Sequence, residues 1–502
     1  MYIFLLFLLF ISGMYANEPK EEFRAVWLTT FAGLDWPGSH DPEEQKRSLL
    51  GILDHLRDAK FNAIFFQARS RGDAFYRSSF EPWARELAGE TGKDPGWDPL
   101  AFLIEEAHSR GIEVHAWFNV YKVWGGSPIP YNTQPSHILE RNPEWAQQSG
   151  IEWWLNPGEP GVHTYLLKIA LDLIERYPVD GIHFDHIRYP DTTFDDKITH
   201  KRFGVGKDLH DWRRENITNF IRDFYHYASV LRPDLKIGSA PVGVYKPIPG
   251  FFFSTAYEDY YQDPERWLRE GIHDYIAPQV YWDIGQHPKF GTIMHDWKQR
   301  THGRHIYGGI GIFRPEIYNE IFQQVAITRT LGAHGQVYFR YAHLGNPARL
   351  SDVYTSAALV PDMPWKNNNE PGLYTVQFPD DYVSTSVNQG GWQARSVSDY
   401  IDEIARMLDR PVVIGLETDP DKGYPFYLSM YLPAGSSVAV WIMDGIHSQQ
   451  IPVIDEYLDA GFHMIPVYQN QTQPFLRYML QTGNKVSERL IKTTGDTSAS
   501  RY

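Results

Sequence analysis

The chain has no cysteine. That excludes disulfides, thiolate nucleophiles and cysteine-ligated zinc. Positive charge is also scarce, with 47 Lys and Arg against 62 Asp and Glu and a net charge of −15. A broadly acidic surface repels phosphate backbones, so nucleic acid is not an expected partner. Long apolar runs are missing too. The first one, Tyr2 to Ile11, is too short to span a bilayer, and no later segment is a transmembrane candidate. With Ala16 at its end, residues 1–16 read as a secretory leader, although no Lys or Arg precedes the apolar run. An exported protein is therefore expected, in the periplasm, at the cell surface or secreted. No Gly-rich phosphate loop follows the first β-like run, and no internal repeat is visible. No cofactor and no metal are expected.

At 502 residues the chain exceeds what one core usually serves, so two or three domains are expected. Aromatics reach 15%, with 16 Trp and 31 Tyr, enough for packing and also for flat platforms under sugar rings.

Between Phe23 and Leu344 short β-like runs alternate with amphipathic stretches. The β-like runs are 24–29, 63–69, 113–120, 181–188, 236–243, 275–282, 305–313 and 335–344. Helical candidates between them include 41–59, 98–110 and 211–231. This pattern predicts a (β/α)8 barrel over 22–344, with a doubly wound open sheet as the competing arrangement. Residues 345–423 read as a Pro-, Asn- and Asp-rich linker with a mixed α/β piece and one helix candidate, 396–408. Short strands with turn signals over 424–495 predict a small β-sandwich.

Period-two alternation assigns faces. Ile64, Phe66 and Ala68 oppose Phe65, Gln67 and Arg69. Val114, Ala116 and Phe118 oppose His115, Trp117 and Asn119. Ile182 and Phe184 oppose His183 and Asp185. Pro278 and Val280 oppose Gln279, Tyr281 and Asp283. Val337 and Phe339 oppose Tyr338 and Arg340. In each pair of sets the first suits packing on outer helices. The second becomes polar towards the strand's end, where barrel enzymes keep their chemistry.

The stretch VDGIHFDHIRYPD supplies the leading catalytic candidate, Asp185, with Arg69 and Arg188 expected to hold it ionised. Glycoside hydrolysis commonly needs a second carboxyl. Asp283 ranks first, ahead of Asp73 in the loop after the second strand and Asp35 after the first. His115, His183, Asp185 and His186 also invite a metal reading. Their spacing matches no standard ligand pair, and His183 is expected instead to orient Asp185 or a sugar hydroxyl. Trp27, Trp36, Trp117, Tyr121, Trp124, Tyr189, Tyr281 and Trp282 are platform candidates. Gln67, Asn119, Gln279 and Arg340 are candidate hydrogen-bonding groups for substrate.

The blocks EFRAVWLTTFAGLDWP, FNAIFFQARSRGDAFYRSSFEPWARELAGETGKDPGWDPLAFLIEEAHSRGIEVHAWFNVYKV, VDGIHFDHIRYP and DYIAPQVYW resemble, in order, glycosyl-hydrolase-like family ten. The resemblance implies a (β/α)8 glycoside hydrolase acting on a polysaccharide, with cell-wall glycan strands as the associated substrate. It matches Asp185 to the family's strand-four acid, and by analogy with related barrels it implies Asp283 as acid/base. His186-Ile187-Arg188 stands where relatives often carry a second Asp and aromatics. The tail, from YLSMYLPAGSSVAVWIMDG onward, resembles the immunoglobulin-like sandwich of flagellar hook-capping proteins and of type IX secretion cargo. That implies secretion machinery as a partner, or a spacer. Two other functions compete: a catalytically inactive glycan-binding barrel, and a metal-dependent hydrolase such as a deacetylase.

Overall fold

The computed structural model describes residues 18–285, 289–366, 397–419, 424–443, 450–467, 475–483 and 485–492. The expected leader, 1–16, and the middle of the expected linker, 367–396, lie outside the described residues.

Eight parallel strands form the barrel: β1 Phe23–Leu28, β2 Ala63–Arg69, β3 Glu113–Asn119, β4 Gly181–Asp185, β5 Lys236–Ser239, β6 in two pieces Tyr275–Ile276 and Gln279–Val280, β7 His305–Ile310 and β8 Gly335–Phe339. Closure is made by β8 on β1, in register from Phe23 opposite Gly335 to Trp27 opposite Phe339. An open doubly wound sheet is thereby excluded.

The main helices are α1 Pro42–Asp58, α2 Pro99–His108, α3 Pro160–Arg176, α4 Leu209–Leu231, α5 Pro264–Arg269, α6 Phe290–Lys298 and α7 Ile321–Thr330. The eighth is reduced to one turn, Pro347–Leu350. Three helices begin with Asp-Pro. The carboxylates of Asp41, Asp98 and Asp263 accept N–H bonds from Glu44, Ala101 and Arg266, and Pro at the first helical position needs no partner. The expected helices therefore start within two residues of where they form.

Residues 345–366 are not a free linker. Leu359 exchanges backbone bonds with Lys20 and Glu22, both 2.9 Å. Met363 enters the barrel's interior cluster, and Trp365 Nε1 donates to Asp274 Oδ1 at 2.8 Å. This segment plugs the end of the barrel where the strands begin. The expected helix forms as α8, Val397–Leu408.

The C-terminal sandwich starts earlier than expected. Its three-stranded sheet holds Val412–Asp419, Tyr424–Leu432 and Gly461–Val467. Its four-stranded sheet holds Gln450–Leu458, Ser436–Met443, Phe475–Thr482 and Lys485–Lys492. Leu428, Met430, Val438, Val440, Leu476 and Leu480 fill the space between. It is fastened to α3: Arg410 and Arg489 both pair with the buried Glu175, and Arg410 also pairs with Asp172. These cations pull the Glu175 carboxyl down to about 2 against the opposing effect of burial.

Candidate active site at the barrel mouth

On β4, Ile182 and Phe184 pack outward in the shell under the helices, while His183 and Asp185 turn into the barrel. Asp185 is the last residue of the strand and lies in register with Asn119. Its Oδ1 accepts the His186 N–H at 2.7 Å and the Gln279 side-chain amide at 3.3 Å. Its Oδ2 takes no hydrogen bond among the described residues, and the side chain keeps 10% of its surface exposed. His186 Nε2 stands 4.0 Å from that oxygen. Burial holds the His186 ring down to about 4, so it is neutral near pH 7 despite the carboxylate beside it. His186 itself sits at φ 48°, which turns the chain sharply out of the strand. Asn119 is pinned between the Trp117 indole, 3.0 Å, and the Ser70 carbonyl, 2.8 Å.

Burial first and the Asp185 charge second raise the Tyr281 hydroxyl well above its ordinary range. The Tyr281 ring stacks on Phe339 with centroids 5.4 Å apart and meets Phe313 edge-on at 5.7 Å. Phe339 in turn meets Trp27 at 6.0 Å. An aromatic run thus climbs from Trp27 in the interior to Phe313 at the rim. On β8 the faces are the reverse of those expected. Val337 belongs to the interior and Phe339 packs against it, whereas Tyr338 lies in the outer shell and bonds Tyr354 at 2.7 Å.

His183 does not orient Asp185. Its Nε2 accepts the Trp27 indole N–H at 3.0 Å and its Nδ1 bonds the Tyr275 hydroxyl at 3.2 Å. Arg69 does not face Asp185 either. A register shift between Gln67 and Arg69 turns it to the outer side, over the Phe118 ring. There it pairs with Glu81 at 2.7 Å and donates to the Val120 carbonyl at 3.0 Å. The expectation that it keeps Asp185 ionised therefore fails. Trp36, Tyr121 and Tyr189 are at most 1% exposed and lie in the shell between strands and helices, so they pack and offer no ring face to a sugar. Trp124 is 4% exposed and carries the Arg71 guanidinium 4.8 Å from its centroid.

Asp35 and Arg340 bind each other, and Asp35 also accepts N–H bonds from Thr29 and Ala342. They clamp the loop after β1 to the end of β8. Gln67 Oε1 organises that same loop by accepting from Thr29 Oγ1, Thr30 N–H and Phe31 N–H at 2.7–2.9 Å. Asp73 is fully buried and accepts the Arg71 N–H at 2.8 Å, while Arg71 pairs with Glu86 at 2.5 Å. Asp283 is 5% exposed and accepts the Gly285 N–H at 2.9 Å. Trp282 meets Phe253 edge-on at 5.7 Å on the rim. The structure thus gathers Asp185, Asn119, Gln279 and Tyr281 at the ends of β3, β4 and β6, with Trp27 buried below them. Arg188 stands between Trp154 and Tyr260. Among the described residues no three His, Asp or Glu side chains are grouped to hold a metal ion.

Glycosyl hydrolase YngK of Bacillus subtilis is 31% identical over 401 residues, spanning 73% of this chain and 78% of the relative. Glycosyl hydrolase DigH of Escherichia coli K12 is 32% identical over 308 residues, spanning 56% of this chain and 70% of the relative. The glycoside hydrolase domain of PgaB from Bordetella bronchiseptica superposes with a TM-score of 0.47 at 18% identity, over 67% of this chain and 99% of that domain. Residues 22–312, from just before β1 to just past β7, match the glycosyl hydrolase-like 10 family, and the chain belongs to that family.

Proposed function

We propose that the protein is an exported glycoside hydrolase that cleaves O-glycosidic bonds in a polysaccharide, with peptidoglycan glycan strands as substrate. In this reading Asp185 is the carboxylate that faces the anomeric carbon, and Asp283 is the acid/base partner. The observation that carries it is the placement of Asp185. It is a nearly buried carboxylate at the C-terminal end of β4, with one oxygen fixed and the other without a hydrogen bond among the described residues. An oxygen so placed can attack, or stabilise an oxocarbenium-like transition state. Aromatic faces at Tyr281 and Phe339 match the C–H faces of pyranose rings.

The deciding experiment compares the chain with its Asp185→Asn variant on peptide-free glycan strands, scoring released saccharides. Wild type should release product and the variant should not. Binding without product by wild type would sink the reading and leave a glycan-binding barrel. For the C-terminal sandwich we propose a sorting role in export. Fractionating cells that produce the chain with and without residues 397–502 checks it, and unchanged distribution would argue for a spacer.

A further inference from the structure

Buried arginines in this protein are paired. Arg24 reaches Glu22 at 2.9 Å, Arg69 reaches Glu81 at 2.7 Å, Arg213 reaches Asp196 at 2.6 Å and Arg222 reaches Glu270 at 2.7 Å. That is the usual condition for a guanidinium taken out of water. Arg188 is different. Among the described residues it enters no ion pair, and its one hydrogen bond is long, 3.5 Å from Nη1 to the Tyr189 carbonyl.

Three carboxylates lie within electrostatic reach of Arg188, and among the described residues none forms an ion pair with it. Asp185 accepts from His186 and Gln279. Glu152 is paired with Lys122 and accepts the Trp154 indole N–H at 3.3 Å. Asp191 accepts from Thr193 and Ser149 at 2.6–2.9 Å. Burial outweighs the attraction of all three and lowers the guanidinium's pKa. The group is also held in place. Its carbon lies 4.5 Å from the Tyr260 centroid and 5.3 Å from that of Trp154. Trp154 is buried and further packed edge-on by His186 at 5.5 Å. Two aromatic neighbours fix the position of a guanidinium and leave its N–H edge available. A fixed, half-buried cation with an unused fork of donors, three residues beyond the strand-end Asp185, is arranged for a planar anion.

We propose that Arg188 binds a carboxylate carried by the substrate glycan, so that the enzyme selects acidic sugar units next to the bond it cleaves. This rests on the hydrolase reading above and names the substrate's charge. A sugar carboxylate comes either on a lactyl ether, as in peptide-free muramyl strands, or at C6 of a hexuronate. Both present the same planar oxygen pair to the fork.

The test uses the full chain and two matched substrate pairs. One pair is peptide-free glycan strands and the same strands after carbodiimide activation and borohydride reduction of their carboxyls. The other is a hexosamine–hexuronate polymer and its carboxyl-reduced form. Wild type should prefer the acidic member of one pair by roughly tenfold or more in kcat/KM, and the pair that shows it identifies the source. Arg188→Gln should erase the preference, and Arg188→Lys should keep part of it, since charge survives without the fork. If wild type cleaves but prefers the acidic member of neither pair, the Arg188 inference is overturned while the hydrolase reading stands. If wild type cleaves none of the four, the hydrolase reading fails instead. Tryptophan-fluorescence titration with the same polymers then decides the Arg188 inference. Binding that needs the carboxylate and is lost in Arg188→Gln supports it; carboxylate-independent binding, or none, overturns it. Should Arg188→Gln not fold, the wild-type ratios and Arg188→Lys decide alone.

Discussion

The barrel is polar at two levels, and the two differ in how that polarity is used. In the interior, Trp27 Nε1 can only donate, so His183 Nε2 must accept, 3.0 Å away, and the His183 proton sits on Nδ1. That proton points to the Tyr275 hydroxyl at 3.2 Å, which passes its own to His115 Nδ1 at 2.9 Å. His115 Nε2–H ends the chain on Glu113 at 3.3 Å, whose other oxygen holds Lys236 at 2.5 Å. Neighbouring strands give up side chains to make room. A Cβ on Gly181 would lie 2.3 Å from His115, and one on Gly238 would lie 2.4 Å from the Tyr275 ring. Every member is neutralised or bonded. At the mouth, Asp185 Oδ2 and the Arg188 fork are not. Polarity inside a barrel is therefore no sign of a site by itself; unspent hydrogen-bonding capacity on rigidly held groups is.

The largest expected difference between the two levels is in Asp185→Asn against Tyr275→Phe. The first should lower turnover about 10²–10⁴-fold at an unchanged thermal midpoint, and the second should mainly lower the midpoint. Rate assays beside calorimetry check this. A Tyr275→Phe enzyme as dead as Asp185→Asn would join the chain to the chemistry and break the distinction.

Next in size is the contrast between a spent and an unspent arginine. Glu81→Gln strands the Arg69 guanidinium, which is fully buried over Phe118, and should cost about 3–5 kcal/mol in denaturant unfolding. Arg188→Gln removes a cation that has no ion pair and should cost under about 1 kcal/mol. Equal losses would mean that Arg188 has a structural partner. Smaller again is Gly181→Ala, where the methyl must displace the His115 ring. About 1–3 kcal/mol is expected, with kcat moving less than the midpoint.

Much of the mouth is legible in the amino-acid sequence. Alternation places Asp185, Asn119, Gln279 and Tyr281 on the inner face, because on β3, β4 and β6 one face is apolar and the other carries polar groups. It fails where that contrast is missing. On β8 the expected contrast is absent because Gln336 and Tyr338 face the outer shell, bonded to Glu22, Thr328 and Tyr354, while Val337 and Phe339 face the interior, so the rule sends Phe339 outward. It fails at Arg69 because a bulge shifts the period by one residue, and nothing in AIFFQAR marks it. Trp36, Tyr121 and Tyr189 lie close in sequence to the mouth, yet large apolar rings gain more from full burial in the shell than from a wet rim. The plug at 359–366 is hidden because Met363 and Trp365 are isolated in Pro- and Asp-rich text. The fork of Arg188 is visible there only as a residue type; its lack of a partner is a property of three dimensions.

The smallest prediction concerns pH and the floor. His305 and His334 stack at 4.0 Å where the strands begin, and burial holds His305 down to about 3 and His334 to about 4. Unfolded, each would take a proton near 6.5. The folded state thus excludes protons that the unfolded state binds, and stability is complete above about pH 6.5 and falls as pH drops towards 4. The seam to the sandwich behaves separately. Glu175, depressed from 4.5 to about 2, contributes stability above about pH 4.5 that is lost only as pH falls towards 2. Scanning calorimetry from pH 7 to 4 should therefore show a midpoint decline to which the floor pair contributes alongside His186, His226 and His273, which burial also holds down to about 4. His305→Gln should make it shallower and Glu175→Gln should not. A slope untouched by His305→Gln would mean the floor carries charge after all, and the line drawn between a spent interior and an unspent mouth would have to move.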